Sequence, residues 1–290
     1  MSAAPPTRSP ENTAVDRNRE LMDRARRLPY KKVNGIRLNA YAFNPEGHSV
    51  GDKRPCAIFF FGSGWDNGVV TQFAPHCVYL ASRGMVGFVV EYRVSAKHGS
   101  TPTEAMADAR SVVRWVRMNA EALGVDPDRI AGAGASAGAH VILSSAMIEG
   151  VEEPGEDRSV NPSPNALVLF SPVVDISPAG FGVDRFSDKK LANYVSPLRH
   201  VEKGLPPSVI FHGKSDRVIP AKGIRKFWKK MQRKGNHCEL FEYDGQGHGF
   251  FNFNVNFQFY EATIAAMDRF FVDLGYMEKN PEDDGSLRLG

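Results

Sequence analysis

The sequence predicts an α/β protein: a mainly parallel sheet of about eight strands, covered by helices on both faces. Two observations point there. Short continuous apolar runs, Pro55 to Phe61, Met85 to Tyr92, Ala166 to Phe170 and Pro207 to Phe211, read as strands buried on both faces. Stretches with apolar residues at helical spacing stand between them, so strand and helix alternate along the chain. A third observation fixes where the chain turns most sharply. Ile130 to Ala135 is a strand of small residues running into Gly134-Ala135-Ser136-Ala137-Gly138, which opens a helix.

The elements follow in order. Residues 1–15, rich in Pro, Ser and Thr, read as a disordered tail, and Asp16 to Arg27 as a charged surface helix. Two strands, 30–33 and 36–43, flank Asn34-Gly35, a strong local hairpin signal and an antiparallel entry to the sheet. Phe73, Cys77, Leu80 and Ala81 mark a helical face, and a helix over about 103–123 brings Val112, Val113, Trp115 and Val116 to the core. Residues 150–164 read as an exposed loop, and 175–205 as an irregular excursion forming a short cap or pocket wall. An amphipathic helix near 220–234, a strand over 239–243 and a helix over 257–274 complete the chain. The domain plan is thus 1–28 tail and surface helix, 29–276 one domain, and 277–290 tail.

Composition excludes several function classes. With 42% hydrophobic and 24% charged residues, 290 residues suffice for one large core. Thirty-six Lys+Arg against 33 Asp+Glu leave a net charge of +3, too little to argue for nucleic acid as a partner. The one basic run, Lys222, Arg225, Lys226, Lys229, Lys230, Arg233 and Lys234, reads as a solvated helix face. Cys56, Cys77 and Cys238 offer neither a disulfide framework nor metal-ligand spacing, so they point to no metal site. No apolar run approaches the ~18 residues of a membrane span, and 1–28 lacks the apolar core of a signal peptide. A cytoplasmic location is expected, or a secreted one if a leader has been removed. Oligomeric state stays open, a homodimer being one option.

The chemistry starts at Ser136. Gly134 and Gly138 flank it as Gly-x-Ser-x-Gly, the spacing of a nucleophile elbow, where a tight strand-to-helix turn tolerates no bulk two residues either side. The following helix aims free N–H groups at any oxyanion formed beside the hydroxyl. The rival reading, Gly132-Ala133-Gly134-Ala135-Ser136-Ala137 as a dinucleotide fingerprint, requires an acid ending a second strand about 20 residues on. Glu152, Glu153 and Glu156 lie instead in a Pro/Gly-rich loop. Asp216 follows the strand at 207–211 and His248 follows the strand at 239–243, so serine, acid and histidine stand in chain order at strand ends. His248 would act as base and Asp216 would fix its tautomer, with Asp244 the rival acid. The glycine-rich stretch Phe61-Gly62-Ser63-Gly64-Trp65 lies where an oxyanion hole is expected, with Ser63, Gly64 and Ala137 as N–H donors and Gly62 an alternative to one of them.

Taken together, Phe61 to Trp65, Glu91-Tyr92-Arg93, Gly134 to His140 and Gly245 to Phe250 resemble the acetyl-esterase and hormone-sensitive-lipase-like branch of the α/β-hydrolase fold, over about residues 30–275. That branch holds bacterial carboxylesterases, carbohydrate and feruloyl esterases and kynurenine formamidase. Phe61 stands where the branch has a loop histidine, and Ser63 where it has a middle glycine. The resemblance implies a cofactor-free serine carboxylesterase acting on short acyl esters such as acetyl, carried on small molecules or on saccharides. An arylformamidase-like amidohydrolase and a non-catalytic binding module on the same fold are the alternatives. Trp65 and Phe250 are candidate pocket walls, and His140 and His212 are read as structural supports.

Overall fold

A computed structural model of the chain describes residues 18–279. Its strands are β1 (Arg26–Val33), β2 (Ile36–Phe43), β3 (Arg54–Phe60), β4 (Val86–Val90), β5 (Val125–Ala135), β6 (Ala166–Phe170), β7 (Ser208–Gly213) and β8 (Cys238–Tyr243). They form one sheet in the order β1-β2-β4-β3-β5-β6-β7-β8. β2 pairs antiparallel with both β1 and β4, and every other pair is parallel. The β1–β2 turn has φ 48° at Asn34 and 79° at Gly35, the left-handed pair that a two-residue hairpin needs.

Five longer helices cover the sheet: α1 (Ala74–Ser82), α2 (Pro102–Met118), α3 (Ala137–Met147), α4 (Ala221–Arg233) and α5 (Phe257–Asp273). Side chains alternate across each strand, so Cys56, Ile58 and Phe60 join one core with α2, α3 and α4, while Ala57 and Phe59 join another with α1 and α5. α2 starts where Pro102 can occupy the first turn and Glu104 reaches back to the Thr101 N–H at 2.8 Å. α4 buries Ile224, Phe227 and Met231 and turns most of its basic run to solvent, as expected.

Several expectations need correction. Of the helix expected over 16–27, residues 16–17 lie outside those described, 18–19 are helical, Glu20–Arg24 is a 3-10 turn, and β1 begins at Arg26, before Pro29. Pro29 suggested a strand start, but β1 is an edge strand, where a missing N–H costs little, and its register shifts between Pro29 and Lys31. The stretch 150–164 is not simply exposed. Glu152 pairs with Arg110 and with Arg114 (2.6 Å), and Glu153 with Arg93 and with Lys31 (2.7 Å), so the acids pin this segment to α2 and β1. The tails expected at 1–15 and from 280 onward lie outside the described residues. Among those described, no helix is long and apolar enough to cross a membrane.

The excursion at 175–205 contains a short helix, Lys189–Tyr194, between two 3-10 turns. His140 of α3 donates through Nε2 to the Val195 carbonyl at 2.8 Å, tying the excursion to the elbow helix. Burial pushes the His140 imidazole down to about 4, so it stays neutral.

Candidate active site

Ser136 ends β5 and precedes α3, with φ 53° and ψ −119°. A non-glycine residue is strained there, so the surroundings must hold it. Its N–H donates to the Phe170 carbonyl at 3.0 Å, and its own carbonyl accepts from His140 N (3.1 Å) and Val173 N (3.2 Å). The two glycines are required by contact. A Cβ on Gly138 would lie 2.3 Å from the carbonyl oxygens of Phe60 and Phe61, and one on Gly134 would lie 2.7 Å from the Gly138 carbonyl carbon. The elbow is thus pressed against the end of β3, where the glycine-rich loop begins.

Asp216 and His248 come from the loops after β7 and β8. The Asp216 side chain is fully buried. Its Oδ1 accepts from the N–H groups of Val218 (2.8 Å) and Ile219 (2.9 Å), while Oδ2 accepts from His248 Nδ1 at 2.7 Å. Burial pushes this carboxyl up, but the bonds from His248 and the two N–H groups outweigh it and hold Asp216 below the usual carboxylate range. An ionised Asp216 requires the proton of His248 to sit on Nδ1, leaving Nε2 with a lone pair. The two loops interlock through Ser215 N–H to the Gln246 carbonyl (2.9 Å) and Lys214 N–H to the Tyr243 carbonyl (2.9 Å).

Ser171 joins these loops to the serine. It follows Phe170, which accepts from Ser136, and its hydroxyl donates to the His248 carbonyl at 3.0 Å. The rival acid, Asp244, has an 87% exposed side chain paired with Lys214 at 2.8 Å, and it makes no contact with His248. His212 donates through Nε2 to the Ile219 carbonyl at 3.1 Å, bracing the turn that carries Asp216.

The loop after β3 lies beside Ser136: a Cβ built on Gly62 would sit 3.6 Å from the Ser136 Cβ. Its N–H groups divide into engaged and open ones. Gly62 donates to Gln72 Oε1 at 2.7 Å, and Trp65 donates to Ser63 Oγ at 2.9 Å. Among the described residues, the N–H groups of Ser63, Gly64 and Ala137 have no protein acceptor. Tyr92 holds the loop's shape. Its hydroxyl donates to the Phe61 carbonyl at 2.6 Å, so in the 2.7 Å contact with Ser63 Oγ it is Ser63 that donates. A directed chain therefore runs from Trp65 N–H through Ser63 and Tyr92 to Phe61. Phe61 itself stacks on the Tyr92 ring at 4.4 Å.

Trp65 and Phe250, expected as pocket walls, are both buried. Trp65 is 2% exposed and packs edge-on against His140 (5.1 Å) with Phe181 and Phe186 of the excursion around it. Phe250 is 3% exposed, among Tyr243, Phe251 and Phe259. Both aromatics brace the loops from within the core. Sequence reasoning missed Gln72, Asn252 and Ser171, and quoted Tyr92 only as part of a motif.

With this geometry described, comparison with known proteins places the chain among relatives. An esterase from Thermogutta terrifontis, solved phosphoramylated by tabun, is 39% identical, with a TM-score of 0.85 over 89% of this chain and 98% of that one. An acetylxylan esterase from Xylanibacter ruminicola is 31% identical over 198 residues, 64% of this chain and 38% of that protein. Esterase LipC of Mycobacterium tuberculosis is 28% identical over 220 residues, 68% of this chain and 53% of that protein. The chain thus spans about half the length, or less, of these two curated relatives. The BD-FAE family profile matches residues 44–231, from the end of β2 through most of α4 and so including the elbow, the glycine-rich loop and Asp216. By that match and by its eight-stranded, mainly parallel sheet, the chain belongs to the BD-FAE family of α/β-hydrolase esterases.

Proposed function

We propose that the protein is a serine carboxylesterase in which Ser136, His248 and Asp216 form the catalytic triad and the N–H groups of Ser63, Gly64 and Ala137 form the oxyanion hole. The observation that carries this is the buried Asp216 carboxylate bound at 2.7 Å to Nδ1 of a partly exposed His248. It leaves Nε2 as a base on a loop that Ser171 ties to the strand end bonded to Ser136. In this reading His248 Nε2 takes the Ser136 proton as Oγ attacks the ester carbonyl. The negative charge that develops on the carbonyl oxygen is received by the three open N–H groups, already oriented before reaction. His248 returns the proton to the departing alcohol, leaving an acyl-serine. Water, deprotonated by the same imidazole, then releases the acid.

Short acyl groups are the proposed substrates. The Thermogutta terrifontis esterase has been solved with propionate and with butyrate bound, which supports this reading. Similarity to an acetylxylan esterase supports acetyl groups carried on a saccharide as one form of the substrate. The test is intact-mass spectrometry after fluorophosphonate treatment, together with turnover of p-nitrophenyl acetate, butyrate and octanoate. One adduct, lost in Ser136→Ala, with acetate or butyrate cleaved faster than octanoate, is the expected result. Ser136→Ala with near wild-type turnover would overturn the assignment of the nucleophile.

A further inference from the structure

The glycine-rich loop and the histidine loop arise from strands that are not neighbours, since β5, β6 and β7 lie between β3 and β8 in the sheet. Two side chains nevertheless join them. The Gly62 N–H donates to Gln72 Oε1 at 2.7 Å, Gln72 Nε2 donates to Asn252 Oδ1 at 2.9 Å, and Asn252 Nδ2 donates to the Gly249 carbonyl at 2.9 Å. Gly249 is the residue after His248. The direction of every bond is forced. Gly62 offers only a proton and the Gly249 carbonyl only lone pairs, so each amide has one orientation that satisfies both its neighbours.

Both amides are anchored. Gln72 sits in the 3-10 turn Val70–Phe73. The Asn252 N–H bonds to the Gly249 carbonyl (3.1 Å), and its own carbonyl accepts from Val255 N (3.0 Å) and Asn256 N (3.1 Å), just ahead of α5. The bridge thus joins the loop beside Ser136 to the loop that carries His248, between elements that no strand pairing holds together.

We propose that Gln72 and Asn252 are positioning residues for ester hydrolysis, fixing the oxyanion donors at a set distance from His248. This rests on the triad reading given above. The two loops must act on one substrate: the imidazole serves the attacking hydroxyl and leaving alcohol while the N–H groups serve the carbonyl oxygen between them. Displacement of either loop by about 1 Å costs on the order of 100-fold in rate without removing a catalytic group. The bridge also commits the Gly62 N–H, so the open donors are those of Ser63 and Gly64.

The test compares Gln72→Ala, Asn252→Ala, the double variant and Gln72→Glu in the full chain, with Ser136→Ala as the inactive reference. kcat and KM for p-nitrophenyl acetate and the thermal midpoint are measured for each. Each alanine variant is expected to lose roughly 10- to 100-fold in kcat with KM within about threefold of wild type. The double variant should fall no more than about threefold below the weaker single, because either cut severs the same bridge. Gln72→Glu keeps an acceptor for Gly62 but turns an oxygen toward Asn252 Oδ1, so it should lose kcat as well. Should Gln72→Ala fail to fold, Asn252→Ala and Gln72→Glu carry the test. Wild-type kcat with only a lowered midpoint, or losses that multiply in the double variant, overturns the proposal. Turnover retained by Ser136→Ala would instead overturn the triad reading, a separate result.

Discussion

Asp216→Asn changes one atom that matters. Oδ1 of Asp216 holds its turn by accepting from Val218 and Ile219, and an asparagine keeps that oxygen. Oδ2, which faces His248 Nδ1 at 2.7 Å, becomes an NH2 group. That group donates, so Nδ1 must accept, and the ring proton moves to Nε2, the nitrogen needed to deprotonate Ser136. The imidazolium formed during attack also loses its carboxylate partner. A triad with the wrong histidine tautomer loses on the order of 10³- to 10⁴-fold in kcat, which is about 4 to 5.5 kcal/mol in the barrier. Because the turn's bonds to Val218 and Ile219 survive, the thermal midpoint should move by no more than a few degrees. The assay is kcat and KM on p-nitrophenyl acetate, beside the rate of fluorophosphonate adduct formation, which should slow in parallel. A kcat within tenfold of wild type, while Ser136→Ala is inactive, would refute the tautomer argument. A comparable loss in Asp244→Asn would move the acid to the other side of the loop.

Three further outcomes follow from the structure. Gly138→Ala places a methyl 2.3 Å from two backbone oxygens of the β3 end; the chain should lose about 1 to 3 kcal/mol of stability and more than tenfold in turnover, and a midpoint and kcat both unchanged would contradict the contact argument. His76 is fully buried within rings of Phe59, Phe73, Phe170 and Tyr260, with no hydrogen-bond partner among the described residues, and burial pushes its imidazole down to about 3. Its folded value lies below the unfolded one of ~6.5, so stability falls as pH drops from about 6.5 toward 3, by about 2 to 3 kcal/mol at pH 4.5. His76→Phe should flatten urea-unfolding free energies between pH 7 and 4.5 by that amount, and equal slopes would count against it. Burial pushes Glu153 up, but Lys31 and Arg93 hold it below its usual range. Its contribution is therefore complete above the unfolded value of ~4.3 and is lost as pH falls through the lower folded value. Glu153→Gln should lower the midpoint at pH 7 and by less at pH 4; a gap that does not narrow would sink the linkage.

The parts legible in the sequence were those with a local cause. Apolar runs such as Pro55 to Phe61 announce a strand buried on both faces, and the glycines around Ser136 announce an elbow because sterics act within a few residues. Asp216 and His248 could be picked because each follows a strand read from the sequence, and Asp216 meets His248 at 2.7 Å. What escaped were polar residues defined only by distant partners. Gln72 and Asn252 have no period and no motif spacing, and their significance lies in a bond between residues 180 positions apart in the chain. The surroundings of Trp65 and Phe250 were also set by distant partners. Their place in the motif suggested a wall open to substrate, but the excursion covers Trp65, and aromatic rings near α5 cover Phe250. The acids of 150–164 looked solvated because their cations come from β1, β4's end and α2, none adjacent in sequence.

The three cysteines carry a practical consequence. Cys56, Cys77 and Cys238 are all free and buried, and burial pushes each thiol up, Cys238 to about 12. Thiolate is the reactive form, so thiol-directed dyes should leave the native fold unlabelled. A single cysteine introduced at exposed Lys190, on the short helix of the excursion, would then be the one addressable thiol. A fluorophore there would report whether that segment shifts at all as an ester enters and an acid leaves, in a chain whose own sulfur atoms need no removal.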